Sequence, residues 1–269
     1  MDYYTDVDYK IGFIISEFLP TKKIVLRSIQ NLDASKVKIY KVPVYSAKRE
    51  SNNRLLLRIF RETSFRYVSF KIFDTLFVRF FRKITNRRID NYAKKRGIQI
   101  KSLKIEFADI NNEIINDEID ILVLSTNQIV PLSTLQSPKL AAINVHLAKL
   151  PEYGGLFNQF WMMLNNEEKG YACVHIASKN LDAGKVLLED FIQINKSDSL
   201  LATYIKTAEL AGDLLYQFLS NPSKYLNVDL EVEKTPTIRG LPTSEDMKKF
   251  KIELNKLIKF SDLFTVEIF

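Results

Sequence analysis

Strands and helices alternate along this sequence, and that pattern predicts an α/β fold built on a doubly wound, mostly parallel sheet. Three observations carry the expectation. Tyr9–Ser16 (YKIGFIIS) and Ile119–Ser125 (IDILVLS) are nearly continuous apolar runs, as strands covered on both faces are. Between the strands lie amphipathic stretches. In the longest, Ser199–Leu219, the residues Leu200, Leu201, Tyr204, Ile205, Ala208, Ala211, Leu215 and Phe218 recur at helical spacing. Third, the strand Ala141–His146 ends in a polar tip, Asn144-Val145-His146, followed by Pro151 and the pair Gly154-Gly155. Ligands in open α/β sheets bind outside such carboxyl ends.

The remaining elements follow in order. Pro20–Leu32 reads as a helix and Val37–Val44 (VKIYKVPV) as a strand. In 53–88 the apolar residues Phe65, Val68, Ile72, Phe73, Leu76, Phe80 and Ile84 stand at helical spacing among many Arg and Lys. An amphipathic helix packed on the sheet is the favoured reading. Contact with an anionic membrane surface ranks second, and a dimer contact third. Asp90–Arg96 is a short helix closed by Gly97, then Ile98–Leu103 a strand and Asn111–Asp117 a helix. Ser125-Thr126-Asn127-Gln128 forms a polar strand tip before a turn at Pro131–Leu135. Leu156–Asn165 is a core helix, while Tyr171–Ala177 and Val186–Ile194 are strands. Asp198 suits a helix N-cap. The tail holds a strand at Val228–Lys234, a turn at Arg239-Gly240-Leu241-Pro242 and a charged helix from Ser244 to about Lys259. This divides the chain into a catalytic domain, 1–220, and a short C-terminal α/β extension, 221–269.

Composition bounds the function. With 269 residues and 46% hydrophobic content the chain can bury a full core. A single cysteine, Cys173, forms no internal disulfide and fits a reducing compartment. Two histidines and one cysteine argue against a dedicated zinc site. The acidic, aromatic start MDYYTDVDYK lacks a secretory pattern, and a cytoplasmic location is expected. A net charge of +7 favours anionic partners without choosing among them. Glu17-Phe18-Leu19-Pro20 offers no glycine where a nucleotide-binding turn would need one.

Asn144 and His146 stand two apart, so on a strand they share a face. Asp182 lies in a polar break between two apolar runs, in Leu181-Asp182-Ala183-Gly184. In one pocket these three make an acid–base site: His146 as base, Asp182 as its charged partner, and Asn144 as donor to a developing oxyanion. The competing reading is local: a strand-end Asn and His bonding nearby backbone, and an ordinary turn aspartate before Gly184. His175 lies on the strand Tyr171–Ala177, where a bonded core histidine is the commoner outcome.

The order of the motifs Asn144-x-His146, Leu150-Pro151-Glu152-Tyr153-Gly154-Gly155 and Leu181-Asp182-Ala183-Gly184 resembles the folate-dependent formyltransferases. The resemblance is clearest over 120–219. It implies a Rossmann-like formyltransferase fold and transfer of a formyl group from N10-formyltetrahydrofolate to a primary amine. It makes Asn144, His146 and Asp182 the catalytic set. It assigns the loop with Leu124, Ser125, Thr126, Asn127, Gln128 and Ile129, together with Leu181, to the folate. Tyr153, Gly154, Gln159, Trp161 and His175 are the substrate-side candidates.

Departures from the subfamilies narrow the amine. The glycinamide ribonucleotide enzymes carry a Gly-rich loop after the first strand. The methionyl-tRNA enzymes have a Pro after the catalytic His, where Leu147 stands here, and a barrel for which this chain leaves too few residues. The formyltetrahydrofolate hydrolases begin with a regulatory domain. The sugar N-formyltransferases remain, implying a nucleotide-linked amino sugar for surface polysaccharide such as lipopolysaccharide, and no nucleic acid. The loop reads Tyr153-Gly154-Gly155 where relatives often have Tyr-Arg-Gly, a departure on the substrate side. Formylation of another amine (tRNA-linked, peptide or natural-product) and a membrane-associated binding protein of the same fold stay as alternatives.

Overall fold

The structure is a computed structural model that describes residues 9–16, 19–42, 89–102, 107–126, 128–227, 235–252, 256–259 and 262. The basic aromatic stretch within 53–88, the segment 17–18, Asn127 and the expected strand at 228–234 lie outside the described residues.

Five parallel strands form the sheet: β1 (Ile11–Ile15), β2 (Val37–Lys41), β3 (Gln99–Ser102), β4 (Ile121–Ser125) and β5 (Ala141–His146). A two-residue strand, β6 (Gly154–Gly155), comes next, and then β7 (Lys169–Ile176) and β8 (Val186–Gln193) extend the main sheet in antiparallel sense. The strand order is β3-β2-β1-β4-β5-β7-β8. The order reverses between β1 and β4, so their carboxyl ends open a crevice there, with the end of β5 alongside. β9 (Ile238–Arg239) pairs with β6 in a separate two-stranded sheet.

Helices α1 (Leu19–Ile29), α2 (Phe107–Asn116), α3 (Leu132–Leu135), α4 (Asn158–Leu164), α5 (Leu200–Ser220), α6 (Pro222–Leu226) and α7 (Ser244–Ile252) surround the sheet. Residues 89–96 are also helical, and Gly97 ends them at φ 74°. Alternation along β1 splits the core in two. Phe13 and Ile15 pack with Ile24, Val25 and the inner face of α5, whereas Ile14 packs with Ile110, Ile114, Leu122 and Ala142 beneath α2. A third cluster joins Phe160 and Met163 of α4 to Leu200, Met247 and Phe250.

Three local expectations are corrected. The N-cap of α5 is Ser199, whose hydroxyl accepts from Ala202 N–H at 3.0 Å. Asp198 instead accepts from Asn195 N–H and pairs with Lys206 at 2.8 Å. α7 is helical over Ser244–Ile252 and 256–259 are not helical, so the helix stops short of Lys259, and the carbonyl of Lys256 caps Leu200 N–H at 2.8 Å. Arg239 is a strand residue rather than part of a turn, because β6 offers it a paired edge.

Candidate active site

The polar tip of β5 stands on the face that carries Ala142. That face is apolar under α2 and becomes polar beyond it, at Asn144 and His146. β7 runs beside β5 with Asn144 opposite His175 and His146 opposite Cys173. Pairing of this kind brings both histidines to one side of the sheet, with ring centroids 6.2 Å apart.

Asp182 completes the cluster from the β7–β8 connection. Its backbone is left-handed, φ 55°, a conformation that Asp tolerates better than most residues. One carboxylate oxygen accepts from Gly155 N–H at 2.8 Å. The other lies 3.7 Å from Nδ1 of His146 and 3.9 Å from Nε2 of His175. These are ion-pair distances rather than hydrogen bonds. Asp182, His146 and His175 are all buried.

The hydrogen-bond network assigns both tautomers. Nε2 of His146 donates to the carbonyl of Tyr153 at 2.7 Å, which leaves the Nδ1 lone pair facing Asp182. His175 has the opposite arrangement. Its Nδ1–H donates to the carbonyl of Ile176 at 2.9 Å, and its Nε2 accepts from the Asn144 amide at 3.0 Å. Burial, reinforced by the neighbouring His146, pulls the His175 pKa down to about 4. His175 is therefore a neutral acceptor that fixes the Asn144 amide. Burial pushes the Cys173 thiol well up, so it packs as an apolar residue under the site.

The other candidates are placed as follows. Leu124 and Ser125 are buried at the carboxyl end of β4, Thr126 and Gln128 are half-buried, and Ile129 is 72% exposed. Leu181, beside Asp182, is 50% exposed. Tyr153 serves His146 through its carbonyl, while its ring turns away and its hydroxyl donates to Glu167 at 2.6 Å. Gln159 is fully buried and donates to the Leu147 carbonyl at 2.5 Å. Half-buried Trp161 packs edge-on against Phe160 and donates from Nε1 to the Gly240 carbonyl at 3.1 Å. A Cβ at Gly154 would lie 3.0 Å from Ile238, so β9 leaves little room there for a side chain.

Two participants were absent from the sequence reading. Asn158, at the start of α4, lies 3.1 Å from Nε2 of His146 and donates to the Gly155 carbonyl at 3.2 Å; its Oδ1 is buried without a partner. Arg239 lies over the rings of Tyr153 and Trp161, at 4.9 and 5.6 Å from their centroids. Asn158 was within reach, since it stands three residues after the Gly pair at the start of the expected core helix; nothing local in the sequence marks Arg239.

A family model described as formyl transferase matches residues 84–219, half of the chain, and spans the whole cluster. The chain belongs to the formyl transferase family. Among characterised relatives, this formyl transferase is 31% identical over 129 residues to a methionyl-tRNA formyltransferase of Caldicellulosiruptor saccharolyticus. That match covers 48% of this chain and 41% of the relative, and the chain spans about half the length of the curated relatives it matches. Among solved structures, a phosphoribosylglycinamide formyltransferase from Anaplasma phagocytophilum superposes with a TM-score of 0.56 at 12% identity, over 81% of this chain and 87% of that one. A sugar N-formyltransferase from a Shewanella species gives 0.52 at 14% identity, over 95% of this chain and 86% of that one. At these identities the two structures establish the shared Rossmann-like fold.

Proposed function

We propose that this formyl transferase moves a formyl group from N10-formyltetrahydrofolate to the primary amine of a nucleotide-linked amino sugar. The observation that carries the reading is the convergence of Asn144, His146 and Asp182, with His175 locking the amide of Asn144.

A folate suits this crevice. The exposed apolar side chains of Ile129 and Leu181 offer contact to the faces of a pterin, and backbone groups at the carboxyl end of β4 and at 128–129 offer partners to its edges. Bound there, the folate supplies an activated formyl carbonyl. The chain's own groups then divide the work. Nδ1 of His146 takes a proton from the attacking amine, because Nε2 is already committed to Tyr153. Asp182 offers its carboxylate to the imidazolium that results, and the imidazolium would give the proton back to the folate nitrogen as that nitrogen's bond to the formyl carbon breaks. The Asn144 amide has one hydrogen directed to His175 and a second left to donate to the carbonyl oxygen as it gains charge. The unpartnered Oδ1 of Asn158, beside His146, suits the N–H of an incoming amine.

The sugar reading draws support from Leu147 after His146 and from the extent of the Shewanella superposition, which includes much of the chain after 220. In this reading residues 1–220 form the catalytic domain and 221–269 an extension that completes it, working in the cytoplasm. The identity to methionyl-tRNA formyltransferases favours a second reading, a tRNA-linked amine. Incubation with N10-formyltetrahydrofolate and a panel of dTDP-, GDP- and UDP-linked 4-amino-deoxyhexoses, beside aminoacylated initiator tRNA, separates the two. A formamide on one of the sugars, seen by mass spectrometry, is the expected product. Formylation of the tRNA alone selects the second reading, and no formamide on any acceptor defeats the first.

A further inference from the structure

Residues 153–156 have two working edges. On one, the Tyr153 carbonyl accepts from Nε2 of His146 and Gly155 N–H donates to Asp182. On the other, Gly154 N–H donates to the Thr237 carbonyl at 3.1 Å and Leu156 N–H to the Arg239 carbonyl at 2.9 Å. This is the alternation of an extended strand, whose successive N–H groups point to opposite edges. Thr237 N–H returns a bond to the Pro151 carbonyl at 2.8 Å. Beyond the backbone, the Arg239 guanidinium lies over Tyr153 and Trp161, and Trp161 itself bonds the Gly240 carbonyl. Residues 236–240 therefore grip the outer edge of the segment whose inner edge holds both His146 and Asp182.

We propose that residues 236–240 act as a positioning strap for catalysis: by pairing with 154–156 they set the His146 imidazole and the Asp182 carboxylate at their working separation. The strap touches neither group directly. It acts through the Tyr153 carbonyl and the Gly155 N–H, which an unpaired loop would let wander. A displacement of about 1 Å in such a pair costs on the order of 10²-fold in rate, so a short strap distant in sequence governs turnover. Its importance rests on the reading of His146 and Asp182 as the reacting pair, but its geometric consequence does not.

The chain has only two histidines, so full-length protein labelled with ¹⁵N-histidine reports both imidazoles separately. Thr237→Pro removes the N–H that bonds Pro151, and Arg239→Gln removes the cation over the two rings; Arg239→Lys restores charge without the planar fork. In Thr237→Pro and Arg239→Gln the ring resonances of His146 should move more than those of His175, which Asn144 and the Ile176 carbonyl hold in place. kcat for formyl transfer should fall at least about tenfold with KM for the amine little changed, and Arg239→Lys should recover part of the loss. Should Thr237→Pro fail to fold, the two Arg239 variants still decide the matter. Unmoved His146 resonances in a folded variant, or equal shifts at both histidines, overturn the strap. Shifts larger at His146 than at His175 in a protein that formylates no tested amine keep the strap and reject the proposed reaction.

Discussion

His175 is fully enclosed and uncharged, and its service to Asn144 depends on staying so. Its folded pKa of about 4 lies below the usual histidine value of about 6.5. The sign of the linkage follows. Above about pH 6.5 both folded and unfolded states carry a neutral ring and stability is unaffected. As pH falls toward 4 the unfolded chain binds a proton that the folded state refuses, so stability drops, by an amount on the order of 3 kcal/mol. His175→Gln should flatten the fall in urea-unfolding free energy between pH 6.5 and 4.5; an unchanged slope would mean another group causes it. The same substitution keeps an acceptor near Asn144 and should cost less turnover than Asn144→Ala, for which a loss of about 10²–10³ in kcat is expected without unfolding. Steady-state rates on purified, folded variants check both. Asp182→Asn should be similarly damaging, since Gly155 N–H and the histidines all face its carboxylate; near-normal rates there would remove Asp182 from the reaction.

Among the elements, glycine positions separate what the sequence disclosed from what it hid. Gly184 was visible in the motif Leu181-Asp182-Ala183-Gly184, and the structure supplies the reason for it. A Cβ there would lie 1.8 Å from the Ile176 carbonyl, so only glycine lets the connection pass against β7 while holding Asp182 in place. Gly184→Ala should therefore displace Asp182 and abolish most formyl transfer, whereas a near-normal rate would show that the backbone can yield. Gly212 gave no signal: it sits inside α5, and a Cβ would meet Arg27 at 2.8 Å and the Ile24 carbonyl at 3.2 Å on α1. Gly212→Ala should prise the two helices apart and cost about 1–3 kcal/mol in equilibrium unfolding, despite alanine's better helix propensity. Strands β1 and β4 were legible because burial on both faces makes them continuous apolar runs, β5 because its carboxyl end turns polar, and helix α5 because burial of one face imposes a period of 3.6. The cap of α5 was misread by one residue, since Asp198 and Ser199 are both good caps and only the contacts of Asp262 with Ser199 and of Lys256 with Leu200 decide between them. β6 and β9 were not legible at all, because two-residue strands have no period to read.

Across the whole molecule, the extension after residue 220 is tied to the sheet-bearing part by side chains that no linear pattern connects. Phe250 stacks on Phe160 with centroids 4.6 Å apart, Met247 joins the same cluster, and the Lys256 carbonyl caps the first turn of α5. Phe160 lies on α4, two residues after Asn158, so this cluster seats the helix whose first residue touches His146. A loss of packing at Phe250 should thus reach the reaction centre by the shortest structural route available. Phe250→Ala leaves a cavity against a fully buried ring and should cost about 3–5 kcal/mol in urea unfolding. At concentrations of urea that leave the wild type folded, its turnover should fall faster than its far-ultraviolet circular dichroism, because α4 and the strap at 236–240 loosen before the sheet does. Removing 221–269 altogether should expose Phe160, Met163 and Leu200, and the truncated chain should aggregate or bind a hydrophobic dye. A soluble, fully active truncation would mean that α4 is seated by the sheet alone and that the extension contributes nothing to the geometry of the reacting pair.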